Sequence, residues 1–121
     1  MSDIQRVKST IRDIYGRRLA ALYALALASA GYTIRSFRAR QPAARGARGK
    51  YWTNRTGQAA ARMFTRAFRE QRQIGFLMAH GVPYGVYLEL KDNRRNEAIR
   101  PEIEKQAPRF FEEARKLYGR G

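Results

Sequence analysis

Positive charge is the sequence feature that most constrains this chain. Its 121 residues carry 25 lysines and arginines against 10 aspartates and glutamates, which gives a net charge of +15 at pH 7. Like charges at this density repel one another in a compact state and attract polyanions. We therefore expect a small domain that works against nucleic acid or against an acidic protein surface.

The length and composition fit one domain over residues 1–121, with a modest core. Apolar residues make up 44% of the chain and cysteine is absent, so disulfides and thiolate metal sites are excluded. The longest apolar run, Leu19 to Ala28, is shorter than the roughly 20 residues that span a bilayer. The first residues lack the pattern of a signal peptide. We expect no cofactor, no metal and no membrane contact.

The amino-terminal segment, residues 1–34, is predicted to be a long helix. Ile4, Val7, Ile11 and Ile14 recur at the three- and four-residue steps of one helix face. Ser2 or Asp3 can cap the start, and Gly31 is the predicted end. This apolar stripe faces either the core of the protein, which is the preferred interpretation, or a neighbouring subunit.

Residues 35–50 form a basic arm or loop in this prediction. The segment has six positive charges and no acid, and Pro42, Gly46 and Gly49 interrupt regular structure. It is either a solvated linker or a segment that orders on DNA or on an assembly partner. The candidate assembly or DNA-facing residues are Arg35, Arg38, Arg40, Arg45, Arg48 and Lys50.

Residues 51–121 are predicted to form an α+β body. Alternation between Met63 and Met78 indicates two strands joined near residues 71–73. The alternative for the first strand is a helix from Ala59 to Arg69. A last helix is predicted from Pro101 to about Tyr118, because proline suits a first helical turn. A short helix is expected after Thr56 and Gly57, and a helical turn after Pro83.

Residues that carry catalytic chemistry are scarce. His80 is the single histidine, and neither serine that could join it, Ser29 or Ser36, lies in a nucleophile-elbow motif. We therefore interpret His80 as a turn residue and predict that the chain is not an enzyme. Glu89, between Leu88 and Leu90, is predicted to be a structural carboxylate with an arginine or backbone N–H partner.

Three short motifs in the second half resemble a known family. They are Asn54 to Gln58 with its Thr56-Gly57 turn, Val82 to Glu89 with Tyr84 and Tyr87, and Ile99 to Ile103 with Pro101. Their order and spacing are similar to those of the minor tail-component family of long-tailed bacteriophages, which are small neck or tail-completion proteins. Alanines at 59 and 60 stand where the family favours leucine, and Leu90-Lys91 stands where it has glycine.

The resemblance implies an α+β fold with a long amino-terminal helix, a small antiparallel sheet and a carboxyl-terminal helix packed on it. It also implies a virion protein that forms a ring around the DNA channel at the head–tail junction after assembly in the host cytoplasm. Its expected partners are copies of itself, neighbouring neck and tail proteins, and packaged double-stranded DNA.

Two alternatives use the same residues differently. A sequence-independent nucleic-acid-binding protein would use the basic arm, with Tyr51 and Trp52 stacking on bases. A small basic nuclease or toxin would use His80 and nearby arginines. The motif around Tyr84, Tyr87 and Glu89 favours the phage interpretation, because nucleic-acid binding does not need it.

Overall fold

The structure, a computed structural model, describes residues 2–54, 56–70, 73–85, 88–90 and 97–119, with 118 and 119 described by their backbone alone. Its helices and strands are α1 (Asp3–Arg40), α2 (Gln58–Arg62), β1 (Phe64–Glu70), β2 (Gln73–Ala79) and α3 (Ile99–Gly119). The predicted α+β fold is confirmed. The long first helix contacts both strands and α3.

The first helix begins where the sequence predicts and ends later. Ser2 and Gln5 form a reciprocal capping box, in which each side chain accepts the backbone N–H of the other residue. The predicted stop at Gly31, and the boundary at residue 34, are wrong, because the helix continues to Arg40. A mid-helix glycine costs about 1 kcal/mol relative to alanine. Complete burial of Phe37 beyond it offsets more than that.

The two strands form one antiparallel hairpin. Thr65 pairs with Met78 and Ala67 with Phe76, so the two predicted strands are confirmed. Residues 71 and 72 of the predicted junction lie outside the described residues. The Thr65 hydroxyl donates a hydrogen bond to the Ala30 carbonyl of α1 at 2.6 Å. One face of the hairpin is thereby attached to the long helix.

The last helix runs antiparallel to α1. Arg40 lies beside Glu102 at one end, and Arg109 lies over the ring of Tyr32 about two turns further along. Pro101 lies in the first turn, as predicted, and Pro108 lies inside the helix. Phe111 of this helix is 62% exposed.

The core lies between the carboxyl half of α1, the segment that follows it, α2 and the hairpin. Phe37 stacks on Tyr51 with ring centroids 5.8 Å apart, and Trp52 packs beside both rings. Met63 and Met78 complete the buried centre. None of the core side chains comes from the first four turns of α1, whose residues 2–15 are all exposed.

Candidate nucleic-acid interface

The six candidate basic residues divide between a helix and a loop. Arg35 and Arg38 are exposed on the last turns of α1, which contradicts the prediction that residues 35–40 belong to an irregular arm. The helix persists there because Phe37 points into the core from the same turns. Arg45, Arg48 and Lys50 are exposed on the loop that follows.

The loop of residues 41–54 folds back on itself through its own backbone. The N–H of Gly46 donates to the Asn54 carbonyl at 2.7 Å, and the N–H of Asn54 donates to the Ala47 carbonyl at 2.9 Å. Arg48 and Thr53 form an isolated antiparallel bridge. The N–H of Lys50 donates to the Arg40 carbonyl at 2.8 Å, which attaches the loop to the end of α1.

The side chain of Gln41 fixes the loop from within. This residue is almost fully buried, and its Oε1 accepts the backbone N–H groups of Tyr51 and Trp52, both at 3.0 Å. Its Nε2 donates to the Trp52 carbonyl at 2.9 Å and to Asn54 Oδ1 at 3.3 Å. These four hydrogen bonds to one buried amide hold the loop in the way that a regular ladder of backbone hydrogen bonds holds a β-hairpin.

Asn54 completes this buried amide pair. Its Oδ1 also accepts the indole N–H of Trp52 at 3.0 Å, and its Nδ2 donates to the carbonyls of Pro42 and Ala44. The prediction that the basic segment orders only on a partner is therefore wrong. Loop atoms are bonded to one another and to buried side chains within the single chain.

Two glycines have backbone conformations that favour this residue type. Gly46 has φ of +79° within the loop and Gly57 has φ of +81°. A side chain at Gly57 would also collide with the Ala43 carbonyl oxygen. The Thr56-Gly57 turn therefore packs directly against the basic loop, and the Thr56 hydroxyl accepts the N–H of Gln58 at 3.3 Å.

The two aromatic residues after the basic segment are not on the surface. Tyr51 and Trp52 are each only 4% exposed and belong to the core. Their rings already pack against Phe37, so they have no face free for a base. The prediction that they stack on nucleic-acid bases is contradicted by this burial.

Arg40 differs from the other five basic residues because it points toward a buried acid. Its guanidinium lies 3.4 Å from Oε1 of Glu102, a side chain with no exposed surface, and the Tyr51 hydroxyl donates to the same oxygen at 2.5 Å. Burial, together with the hydrogen bond to Glu102, raises the pKa of the Tyr51 hydroxyl to about 12. Arg40 thus joins the end of α1 to α3 rather than facing a ligand.

Glu89 has a structural position different from the predicted arginine pair. Its carboxylate accepts the backbone N–H groups of Ala98 and Ile99 at 3.0–3.3 Å, at the start of α3. His80 Nε2 lies 2.8 Å from the same carboxylate. The positive end of the α3 dipole and the orphan N–H groups there stabilise a negative charge. The expected arginine partner is not among the described contacts of Glu89, whose partners are these backbone N–H groups and His80.

The remaining motif residues have mixed outcomes. Gly85 and Leu88–Leu90 are helical, as predicted for the turn after Pro83. Tyr84 is 44% exposed, so a large part of its side chain lies outside the core. Tyr87 lies outside the described residues.

The buried polar side chains were not predicted from the sequence. The position of Glu102 near the start of a helix indicates only a favourable contact with the helix dipole, and Gln41 and Asn54 have the composition of ordinary loop residues. Apart from the Trp52 indole, two positions from Asn54, their partners lie 10 to 62 positions away in the chain, so no local pattern marks them. The one local signal is the position of Gln41 directly after an amphipathic helix.

No group of three or more histidine, cysteine or acidic residues suited to a metal ion occurs among the described residues. In the same part of the chain, none of the helices has the length and apolar character needed to cross a bilayer. The chain matches no protein-family model, no curated protein and no solved structure.

Proposed function

We propose that this chain is a non-enzymatic structural protein of a tailed bacteriophage that forms part of a ring at the head–tail junction. In this function, as a neck or tail-completion protein, it would surround the DNA channel and contact DNA through phosphates. The observation that carries the proposal is the internally bonded basic loop of residues 41–54, which displays Arg45, Arg48 and Lys50 beside the resembling Thr56-Gly57 turn.

A fixed loop suits contact with DNA of any sequence. Phosphate contacts position a protein on the duplex and carry no sequence information, whereas base contacts specify. The buried amides of Gln41 and Asn54 hold the loop, so the backbone that carries its exposed cations is positioned before DNA arrives. Less conformational entropy is then lost at each contact.

The burial of the neighbouring aromatics supports phosphate contact over base stacking. Because Tyr51 and Trp52 are in the core, the interface offers guanidinium and ammonium groups without stacking platforms. A channel through which a whole genome passes requires contacts of this uniform kind. Repetition of the loop around a ring would multiply weak contacts without fixing one register.

The environment of His80 supports a structural role. Its side chain is only 5% exposed and its Nε2 is engaged by Glu89, which in turn binds the start of α3. A nuclease would need a histidine that can reach a scissile phosphate. The proposed partners are copies of this chain, neighbouring neck and tail proteins, and packaged DNA, first in the host cytoplasm and then in the virion.

Binding to random-sequence double-stranded DNA tests the DNA contact. We expect binding that weakens steeply with salt, because each neutralised phosphate contributes about 0.9 to the slope of log K against log salt. Replacing Arg45, Arg48 and Lys50 with serine should lower that slope by roughly 2–3. The melting temperature should stay unchanged, since all three side chains are exposed.

A matched control removes three other exposed charges, Lys105, Arg115 and Lys116, on α3. This variant has the same net charge as the loop variant but an intact loop. Equal slopes for the two variants would show that DNA responds only to net charge and would contradict the proposed interface. A loop variant that melts much earlier would show that these side chains belong to the folded core.

A further inference from the structure

The first four turns of α1 carry an apolar stripe that none of the other described residues covers. Ile4, Val7, Ile11 and Ile14 are 69%, 57%, 61% and 47% exposed. Isolated exposed apolar residues are ordinary, but a continuous row on one helix face marks an interaction surface. Contact with the protein's own core, which the sequence pattern favoured for this stripe, is contradicted by this exposure.

The spacing of the stripe matches a particular kind of partner. Steps of three, four and three residues place these four side chains at the a and d positions of two heptads, the pattern of helices that pair side by side. The next a position is Arg18, so the apolar row stops there. A second helix of about the same length is the complementary shape.

The charged residues beside the stripe indicate that the partner helix belongs to a second copy of this chain and that it runs antiparallel. In an antiparallel pair with Val7 of one copy opposite Ile11 of the other, Ile4 lies opposite Ile14. The flanking g positions then bring Asp3 near Arg17 of the other copy, twice by symmetry. The one repulsive flank is Lys8 against Lys8 of the other copy, and a lysine side chain is long enough to extend away into solvent.

A parallel pair is less compatible with the same residues. It would place Arg18 opposite its own copy at the next a layer and would bring two strongly basic bodies side by side at one end. The antiparallel pair separates the bodies to opposite ends, which lowers the repulsion from a net charge of +15 on each copy. It also repeats, between chains, the antiparallel packing that α3 makes on α1.

We propose that residues 3–17 of two copies pair as antiparallel helices and form a two-fold dimer of the free protein. A two-fold contact is self-complementary, so one stripe supplies both surfaces. This pair goes beyond the proposed ring, whose members are related by rotation about one axis, and belongs to the chain before it enters the ring. When a chain joins the ring, the dimer separates and the stripe becomes available to neighbouring junction proteins.

Sedimentation of the full chain at increasing concentration tests the pairing. We expect a change from the 14.0 kDa monomer to a dimer of twice that mass. Ile11→Lys should abolish the dimer. At dilutions where the wild-type chain is monomeric, the melting temperatures of the two should agree, because Ile11 is exposed in the single chain. The matched control Ser9→Lys adds the same charge on the opposite face of the helix and should still dimerise.

Single cysteines report the direction of the helices, because the chain has no native thiol. A short bifunctional thiol reagent should cross-link Thr10→Cys, which lies next to its own copy at the two-fold axis. It should not cross-link Ser9→Cys on the outer face. Nor should it cross-link Ile4→Cys, whose two copies would be about 15 Å apart along the axis. Efficient linkage through Ile4→Cys would indicate parallel helices and overturn the inference.

A charge exchange tests the proposed register. Arg17→Glu places a carboxylate against Asp3 of the other copy and should weaken the dimer at least roughly fivefold. Adding Asp3→Lys should restore the affinity. A wild-type chain that remains monomeric at the highest concentration would overturn the pairing and leave the DNA-binding test of the basic loop unaffected.

Discussion

The two halves of α1 have similar apolar periodicity and very different surroundings. In the carboxyl half, Leu22, Ala26, Ala30 and Phe37 are buried against the hairpin and the segments that follow α1. In the amino half, Ile4 to Ile14 form a separate apolar row of the same helical spacing, which the described residues leave exposed. Periodicity therefore specifies that a helix has an apolar face, and only the length of the rest of the fold decides how much of that face is buried.

Polar residues distinguish the two halves as clearly as apolar ones. The carboxyl half ends at Gln41 and Arg40, which connect it to the loop through buried amides and to α3 through Glu102. The amino half begins with a capping box that is exposed to solvent. We infer that stability depends on the carboxyl half, while the amino half is available for association.

The largest expected difference comes from equivalent truncations in the two halves. Phe37→Ala should lower the free energy of unfolding by about 3–5 kcal/mol, because a fully buried ring leaves a cavity. At dilutions where the chain is monomeric, Ile11→Ala should change it by less than about 0.5 kcal/mol. Denaturant unfolding measures both, and similar losses would show that the amino half is packed in the folded chain.

Alkaline unfolding tests the cluster that anchors the carboxyl half. The pKa of Tyr51 is raised from 10.0 to about 12, so the folded state holds this proton more tightly. Its stabilising effect is complete below pH 10 and is lost between about pH 10 and 12, a loss of roughly 2–3 kcal/mol. Tyr51→Phe should show a flatter fall in this range. Identical pH profiles would mean that Tyr51 is not the group responsible.

Glu102→Gln tests the buried acid of the same cluster. We expect a loss of about 1–3 kcal/mol, because the amide weakens the contacts with Arg40 and the Tyr51 hydroxyl. Glu104→Gln, two positions further along α3 and 71% exposed on its side chain, is the matched control and should have little effect. Equal thermal shifts for the two variants would remove Glu102 from the anchor.

The smallest effect is expected at the start of α3. Glu89→Gln should cost about 1 kcal/mol, since the neutral amide binds the N–H groups of Ala98 and Ile99 less well than a carboxylate. Assembly should be retained in proportion to the folded fraction, because these contacts lie within one chain. Unchanged melting with lost assembly would instead place Glu89 at a subunit contact.

Local patterns predicted much of this fold. Alternation indicated the hairpin, and Pro101 with its neighbouring acids indicated the last helix close to its observed bounds. The extension of α1 past Gly31 was missed, because glycine and clustered arginines suggest an end while the burial of Phe37 depends on tertiary contacts. Local propensity is a weak signal when long-range packing opposes it.

The sequence predicted which residues of the candidate interface are exposed, but it did not predict the hydrogen bonds that hold them. Exposed Arg45, Arg48 and Lys50 follow directly from the charge run. The inward direction of Arg40 does not follow from it, because its partner Glu102 is 62 positions away. The buried amides of Gln41 and Asn54 are likewise invisible to composition, which describes such residues as solvated.

Electron cryo-microscopy of intact tailed particles that encode this chain tests the proposed function most directly. We predict several copies arranged as a closed ring at the head–tail junction, with Arg45, Arg48 and Lys50 of each copy facing the DNA channel. A single copy, a position away from the junction, or a ring whose basic loops face away from the DNA would contradict it.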